Sequence, residues 1–102
     1  MTISTHPDLL EKLEQWYGEQ CDGLWEHGSG VEITSVDNPG WMVTIDLRDT
    51  ASQDTPLEPL SIDNGETDWL HCLKRDGKFV GAGDPSKLQA ILEQFLKFVG
   101  RL

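Results

Sequence analysis

The chain has 102 residues, of which 37% are hydrophobic and 25% charged, a composition typical of one small globular domain and unlike that of a disordered chain. Eighteen Asp and Glu residues outnumber eight Lys and Arg residues, and the net charge of −10 argues against nucleic-acid binding because phosphates would be repelled. The acids are unevenly placed: residues 1–73 hold fifteen acids and two bases, whereas residues 74–102 hold three acids and six bases.

The first predicted helix runs from about Pro7 to Tyr17. Thr5 and Asp8 have the spacing of a capping box, Pro7 suits the first turn, and Gly18 is a plausible end. One apolar stripe at helical spacing supports the helix: Leu9, Leu10, Leu13, Trp16 and Tyr17.

Residues 19–30 are predicted to form a glycine-containing loop, and a β-hairpin follows over residues 31–47. The second strand is the clearer one, since Trp41, Val43, Ile45 and Leu47 alternate with polar neighbours. The string "DNPGW" between the strands predicts a type II turn. In such a turn Pro39 occupies the second position and Gly40 takes a positive φ at the third.

Residues 48–67 are polar and predict a long loop with a short edge strand near Leu60–Ile62. A second hairpin is predicted from two segments, Asp68–Lys74 and Lys78–Ala82. The dipeptide Asp76–Gly77 between them is the strongest short turn signal in the chain.

The last predicted helix is capped by Asp84, carries Pro85 at its first position and ends at Gly100. Its apolar positions form a wide face: Leu88, Ile91, Leu92, Phe95, Leu96, Phe98 and Val99. The order of elements predicts a single α+β domain over residues 1–102. An antiparallel sheet of four to five strands would carry the N-terminal and C-terminal helices on one face.

No apolar run reaches the ~18 residues of a membrane span, and the N-terminus lacks the basic and apolar regions of a secretory signal. Cys21 and Cys72 do not make a disulfide framework, so reduced thiols are expected. These features favour the cytoplasm.

The string "QCDGLWEH" at residues 20–27 concentrates groups that could carry chemistry. Cys21 and His27, with the pair His71–Cys72, lack the spacing of zinc sites, and neighbouring strand residues point to opposite faces. No metal or cofactor is therefore expected. Cys21 activated by His27 stays open as an alternative, namely a small thiol-dependent enzyme.

The tryptophans differ in their expected environments. Trp16 and Trp41 fall on apolar stripes and are expected in the core, whereas Trp69 is out of phase with Leu70 and Cys72 and is expected to face outward. Trp25 has no periodic context. It either plugs the end of the core or serves as an interface anchor within an acidic surface.

Three strings resemble the immunity protein 53 family of bacterial polymorphic toxin systems: WYGEQCDGLWEH, DNPGW and GAGDPSKLQAIL. The likeness covers nearly the whole chain. It implies a cytoplasmic antidote, encoded beside a toxin, which binds that toxin and is not an enzyme. The resemblance implies no particular toxin and no established functional residues.

Charge and resemblance together predict a cognate, basic toxin protein as the partner, with neither nucleic acid nor membrane involved. The expected contact residues surround the loop and the first strand: Asp22, Trp25, Glu26, Glu32 and Asp37. Excess carboxylates also serve solubility alone, and an acidic adaptor that binds some other basic protein is a further alternative. The sequence leaves the activity of the toxin and the oligomeric state open.

Overall fold

A five-stranded antiparallel sheet carries the helices in the computed structural model, which describes residues 8–28 and 30–102. The elements in chain order are α1 Leu9–Gln20, α2 Trp25–Gly28, β1 Val31–Val36, β2 Gly40–Asp46, β3 Leu60–Asp63, β4 Trp69–Arg75, β5 Lys78–Gly83 and α3 Leu88–Phe98. The strands are ordered β1-β2-β5-β4-β3, and every neighbouring pair is antiparallel. The predicted α+β fold with an N-terminal and a C-terminal helix is confirmed.

Both hairpins form where the sequence predicts them. In the second hairpin Asp76 and Gly77 have φ values of 53° and 76°, the two positive values that a tight turn between twisted strands favours. Strand β3 lies at the sheet edge, as expected from its short length and polar surroundings.

The turn of the first hairpin differs from the prediction. The Asn38–Pro39 peptide bond is cis, and Gly40 begins β2 without a positive φ. A Cβ atom at Gly40 would lie 2.3 Å from the carbonyl oxygen of Gly83 and 3.2 Å from the Trp69 ring. The predicted type II turn is therefore wrong, and glycine is needed because β5 and an indole approach the backbone closely.

One face of the sheet carries the core. Alternate residues of the three central strands are buried there: Val43, Ile45, Leu70, Cys72 and Phe79. The ring of Phe95 on α3 lies 5.3 Å from that of Phe79 and 4.9 Å from that of Trp16 on α1. Because these rings form one cluster, both helices must lie on this face, as predicted.

Helix α3 sits close to the sheet because β5 contains glycine beneath it. A Cβ atom at Gly81 would lie 2.4 Å from Cγ2 of Ile91, well inside van der Waals contact. The string GAG in β5 thus makes room for the helix, which buries Ile91, Leu92, Phe95 and Leu96.

Helix α3 begins three residues later than predicted. The carboxylate of Asp84, 1% exposed, does not cap it. It accepts hydrogen bonds from the Trp69 N–H (2.9 Å), the Ser86 N–H (2.8 Å) and the Lys87 ammonium (2.8 Å). The cap prediction is wrong, although Gly100, with φ 81°, ends the helix region as expected.

Helix α1 begins after Asp8, whose carboxylate accepts the Glu11 N–H at 3.0 Å. The predicted partners Thr5 and Pro7 lie outside the described residues. The helix continues through Gly18 to Gln20, so the predicted end is too early. No helix of the described chain is long and apolar enough to span a membrane.

The sheet face turned away from α1 and α3 is called the open face here. It is formed by the residues that alternate with the core positions: Glu32, Thr34, Met42, Thr44, Ser61, Asp63, Trp69, His71, Leu73, Val80 and Ala82. Met42 keeps 39% of its surface exposed. The open face is therefore the broad surface of this fold that could receive a partner.

Candidate partner-binding surface

The segment Gln20–His27 links α1 to α2 and includes most of α2. Its first residues form the C-terminal end of α1. The Gln20 side-chain amide donates to the Trp16 carbonyl at 3.0 Å, and the Cys21 thiol donates to the Tyr17 carbonyl at 3.3 Å. The Tyr17 carbonyl is among the last four of α1, which have no partner within the helix, so the thiol bond satisfies it.

Asp22 and Glu26 cap the short helix α2 reciprocally. Oδ1 of Asp22 accepts the N–H groups of Leu24 (2.9 Å) and Trp25 (3.0 Å). The Glu26 carboxylate accepts those of Asp22 (3.0 Å) and Gly23 (2.9 Å). The hydrogen bond from Trp25 is the main cause of a lowered pKa for Asp22, followed by the one from Leu24. Asp22 is exposed and Glu26 is half-buried, and both carboxylates already hold their own loop together.

Trp25 lies inside the molecule. It is 5% exposed, and its ring makes edge contacts with Trp16 at 5.9 Å and Tyr17 at 5.7 Å. Its indole N–H has no acceptor among the described residues. In this conformation the ring supports the junction from within and offers no surface to a partner.

Leu24 is the residue that reasoning from the sequence missed. It is 81% exposed, the most exposed large apolar side chain of the described chain. Leu24 lies immediately before α2, where its backbone N–H donates to the Asp22 carboxylate and its side chain is left exposed. Recognising Asp22 as a helix cap would have predicted this position.

Glu32 and Asp37 lie at opposite ends of β1. Glu32 lines a cleft of about 210 Å³ whose other walls include Gly28 of α2 and Lys78 of β5. Asp37 follows β1 and lies roughly 16 Å along the strand from Glu32 at ~3.3 Å per residue. The five predicted contact residues therefore form no single site. Asp22, Trp25 and Glu26 share the junction, the cleft links it to Glu32, and Asp37 lies apart.

The acidic junction surface is defined here by Asp22, Leu24, Glu26 and Glu32. Nearby Asp46, 3% exposed, is not available in the same way because Arg48 holds it at 2.7 Å. The surface thus presents an exposed apolar side chain among carboxylates, whose negative charge attracts cationic groups at long range.

The thiol alternative finds little geometric support. The thiol of Cys21 donates its hydrogen bond to the Tyr17 carbonyl, and no hydrogen bond joins it to the His27 ring among the described residues. Burial raises the pKa of Cys72 to about 11, which disfavours its thiolate. Within residues 8–28 and 30–102, no group of three or more His, Cys, Asp or Glu side chains could hold a metal ion.

The family model for immunity protein 53 matches residues 10–100 of the chain. The matched region includes every helix and strand described above except the first residue of α1. No curated protein and no solved structure matches the chain.

Proposed function

The chain belongs to the immunity protein 53 family, and we propose that it binds and neutralises a cognate, basic toxin protein. The family match over residues 10–100 carries the immunity role. The net charge of −10 supports the basic character of the partner, because opposite charge accelerates and orients encounter.

The proposed contacts are the acidic junction surface and Asp37. An interface of standard size buries ~800 Å² per partner. Such a patch can reach both ends of β1, which lie roughly 16 Å apart. Leu24 would enter an apolar recess of the toxin while Asp22, Glu26 and Glu32 meet Lys or Arg side chains. Trp25 contributes indirectly, since its buried ring holds the loop that carries Leu24.

Neutralisation is proposed to be stoichiometric and not catalytic. The thiol-enzyme alternative predicts that one chain inactivates many toxin molecules, whereas an occluding inhibitor inactivates one. Titration of toxin activity with purified immunity chain separates the two. A sharp end point near equimolar ratio, unchanged in Cys21→Ser, is expected from occlusion.

The binding test uses the toxin encoded beside this chain. Co-expression should rescue growth and yield a co-purifying complex, and absence of both would refute the proposal. Association rates should then be measured across salt concentrations for Glu32→Gln. Its side chain makes no hydrogen bond or ion pair within the described residues. Glu58→Gln, an exposed charge in the loop between β2 and β3, is the matched control.

Glu32→Gln should associate more slowly and with weaker salt dependence than the control variant. If both variants associate at equal rates and with equal salt dependence, Glu32 does not belong to the interface. Glu26 is less suitable as a probe, because its carboxylate caps the backbone and its removal would disturb the loop itself.

A further inference from the structure

A second cleft opens at the far end of the sheet, where the first hairpin turn approaches the segment between β3 and β4. It measures about 390 Å³ and is lined by Asn38, Asp63, Gly65, Glu66, Trp69 and His71. It is called the turn-end cleft here. It lies beside Asp37 and joins the open face, since His71 lies across from Ala82, which pairs with Met42.

Aromatic rings form one wall of the turn-end cleft. The ring centroids of Trp69 and His71 lie 5.7 Å apart with their planes inclined by 35°. Trp69 is held in place from behind, where only glycine at position 40 leaves room for its ring. The Oγ atom of Ser61 lies 2.8 Å from Nδ1 of His71 and fixes that ring as well. The wall is therefore a prearranged π surface.

The carboxylates at the turn-end cleft differ from those of the junction. Glu66 makes no hydrogen bond or ion pair within the described residues, and Asp63 accepts only a long bond of 3.3 Å from the Gly65 N–H. The ammonium group of Lys87 is held by Asp68 and Asp84, each at 2.8 Å, and Lys87 does not line the cleft. Two acceptors with free capacity thus face an aromatic wall.

We propose that the turn-end cleft receives an arginine side chain of the bound toxin. The guanidinium would lie over the Trp69 ring while its N–H groups donate to Glu66 and Asp63. This group fits because it is planar, carries five donors in a fixed fork and stacks on aromatic faces. A lysine ammonium supplies the charge but lacks the planar face and the fork. This inference rests on the proposed function, because it assigns an arginine side chain of the proposed toxin partner to the turn-end cleft.

The first test compares two charge-equivalent variants in binding to the co-encoded toxin. Glu66→Gln and Glu58→Gln each remove one exposed carboxylate, so any change in long-range attraction is shared. The dissociation constant should rise roughly tenfold for Glu66→Gln and less than about twofold for Glu58→Gln. A complex that forms equally well with both variants overturns the cleft while leaving the immunity role intact.

The second test needs no toxin. Arginine amide, lysine amide and norleucine amide are titrated into the isotope-labelled protein, and indole N–H signals are followed by NMR. The Trp69 signal, assigned through Trp69→Phe, should shift saturably with arginine amide, less with lysine amide and not with norleucine amide. Loss of that response in Glu66→Gln is expected. Equal responses to all three amides, or none at Trp69, would overturn the proposal.

Discussion

Replacing Trp25 by alanine distinguishes a core tryptophan from an interface anchor. The ring is 5% exposed and contacts Trp16 and Tyr17 edge to face. Removing a buried tryptophan costs ~3–5 kcal/mol, of which each aromatic pair accounts for ~0.5–1.5 kcal/mol. In a domain of this size the loss corresponds to a fall in Tm of roughly 12–40 °C.

Trp25→Phe should behave differently. The change removes an indole N–H that lacks an acceptor among the described residues, which recovers part of a ~1–3 kcal/mol desolvation penalty. It also leaves a smaller ring in the same space. The two effects oppose each other, so the free energy of unfolding should stay within ~1 kcal/mol of the wild-type value.

Urea unfolding followed by circular dichroism measures both changes, with Leu24→Ala as the exposed neighbour for comparison. That control should shift the free energy of unfolding by less than ~0.5 kcal/mol. If Trp25→Ala unfolds like wild type while toxin binding collapses, the buried position of the ring is refuted. The interface-anchor interpretation would then return.

Three further predictions concern packing, pH and thiols. Gly81→Ala should destabilise the fold by ~1–3 kcal/mol, because its Cβ atom would lie 2.4 Å from the Ile91 side chain; urea unfolding measures this. Asp84→Asn should lower stability at pH 7. The hydrogen bond from Lys87 is the main cause of the lowered native pKa of Asp84, so the ionised carboxylate stabilises the fold. The difference in free energy of unfolding between Asp84→Asn and wild type should therefore shrink as pH falls below ~3.9, because the carboxylate becomes protonated. Iodoacetamide should label Cys21 in the native protein and reach Cys72 only in urea, as mass spectrometry would show.

The first two of these predictions have matched control variants. Gly18→Ala adds a methyl group to α1 with no atom within 4 Å, so it should raise stability by up to ~1 kcal/mol, unlike the same change at Gly81. Asp54→Asn makes the same chemical change at an exposed loop carboxylate and is the control for Asp84→Asn at each pH. An equal loss of unfolding free energy for Asp84→Asn at every pH would contradict the ion-pair argument. Equal labelling of both thiols in the native protein would contradict the burial of Cys72.

Local patterns predicted most of the fold. Alternation located β2, the dipeptide Asp76–Gly77 located the second hairpin, and the apolar face of α3 followed from helical spacing. These signals involve residues close together in sequence, where backbone preference and burial periodicity act directly. The sequence does not predict α2, because a helix of four residues is too short to show helical periodicity.

Long-range contacts account for the errors. The string DNPGW predicts a positive φ at Gly40, yet this position needs glycine because Gly83 and Trp69 approach it from distant parts of the chain. Asp84 resembles a helix cap in sequence but bonds the Trp69 backbone fifteen residues away. Sequence spacing gives no measure of such approaches. The sequence therefore marks Gly40 and Asp84 as structurally important but does not reveal the contacts that make them so.

Charge alone does not distinguish the carboxylates of this protein from one another as partners for a cation. Asp22 and Glu26 lie close to a tryptophan in sequence, yet both carboxylates already accept hydrogen bonds from their own loop. Glu66, in an unremarkable polar loop, has its whole capacity free within the described chain. A carboxylate that already caps a helix can still attract a cation at long range. It gains less from a new short contact, because binding must share or replace existing bonds. Under the proposed function, the acidic junction surface therefore contributes more to steering the toxin, and the turn-end cleft more to holding it.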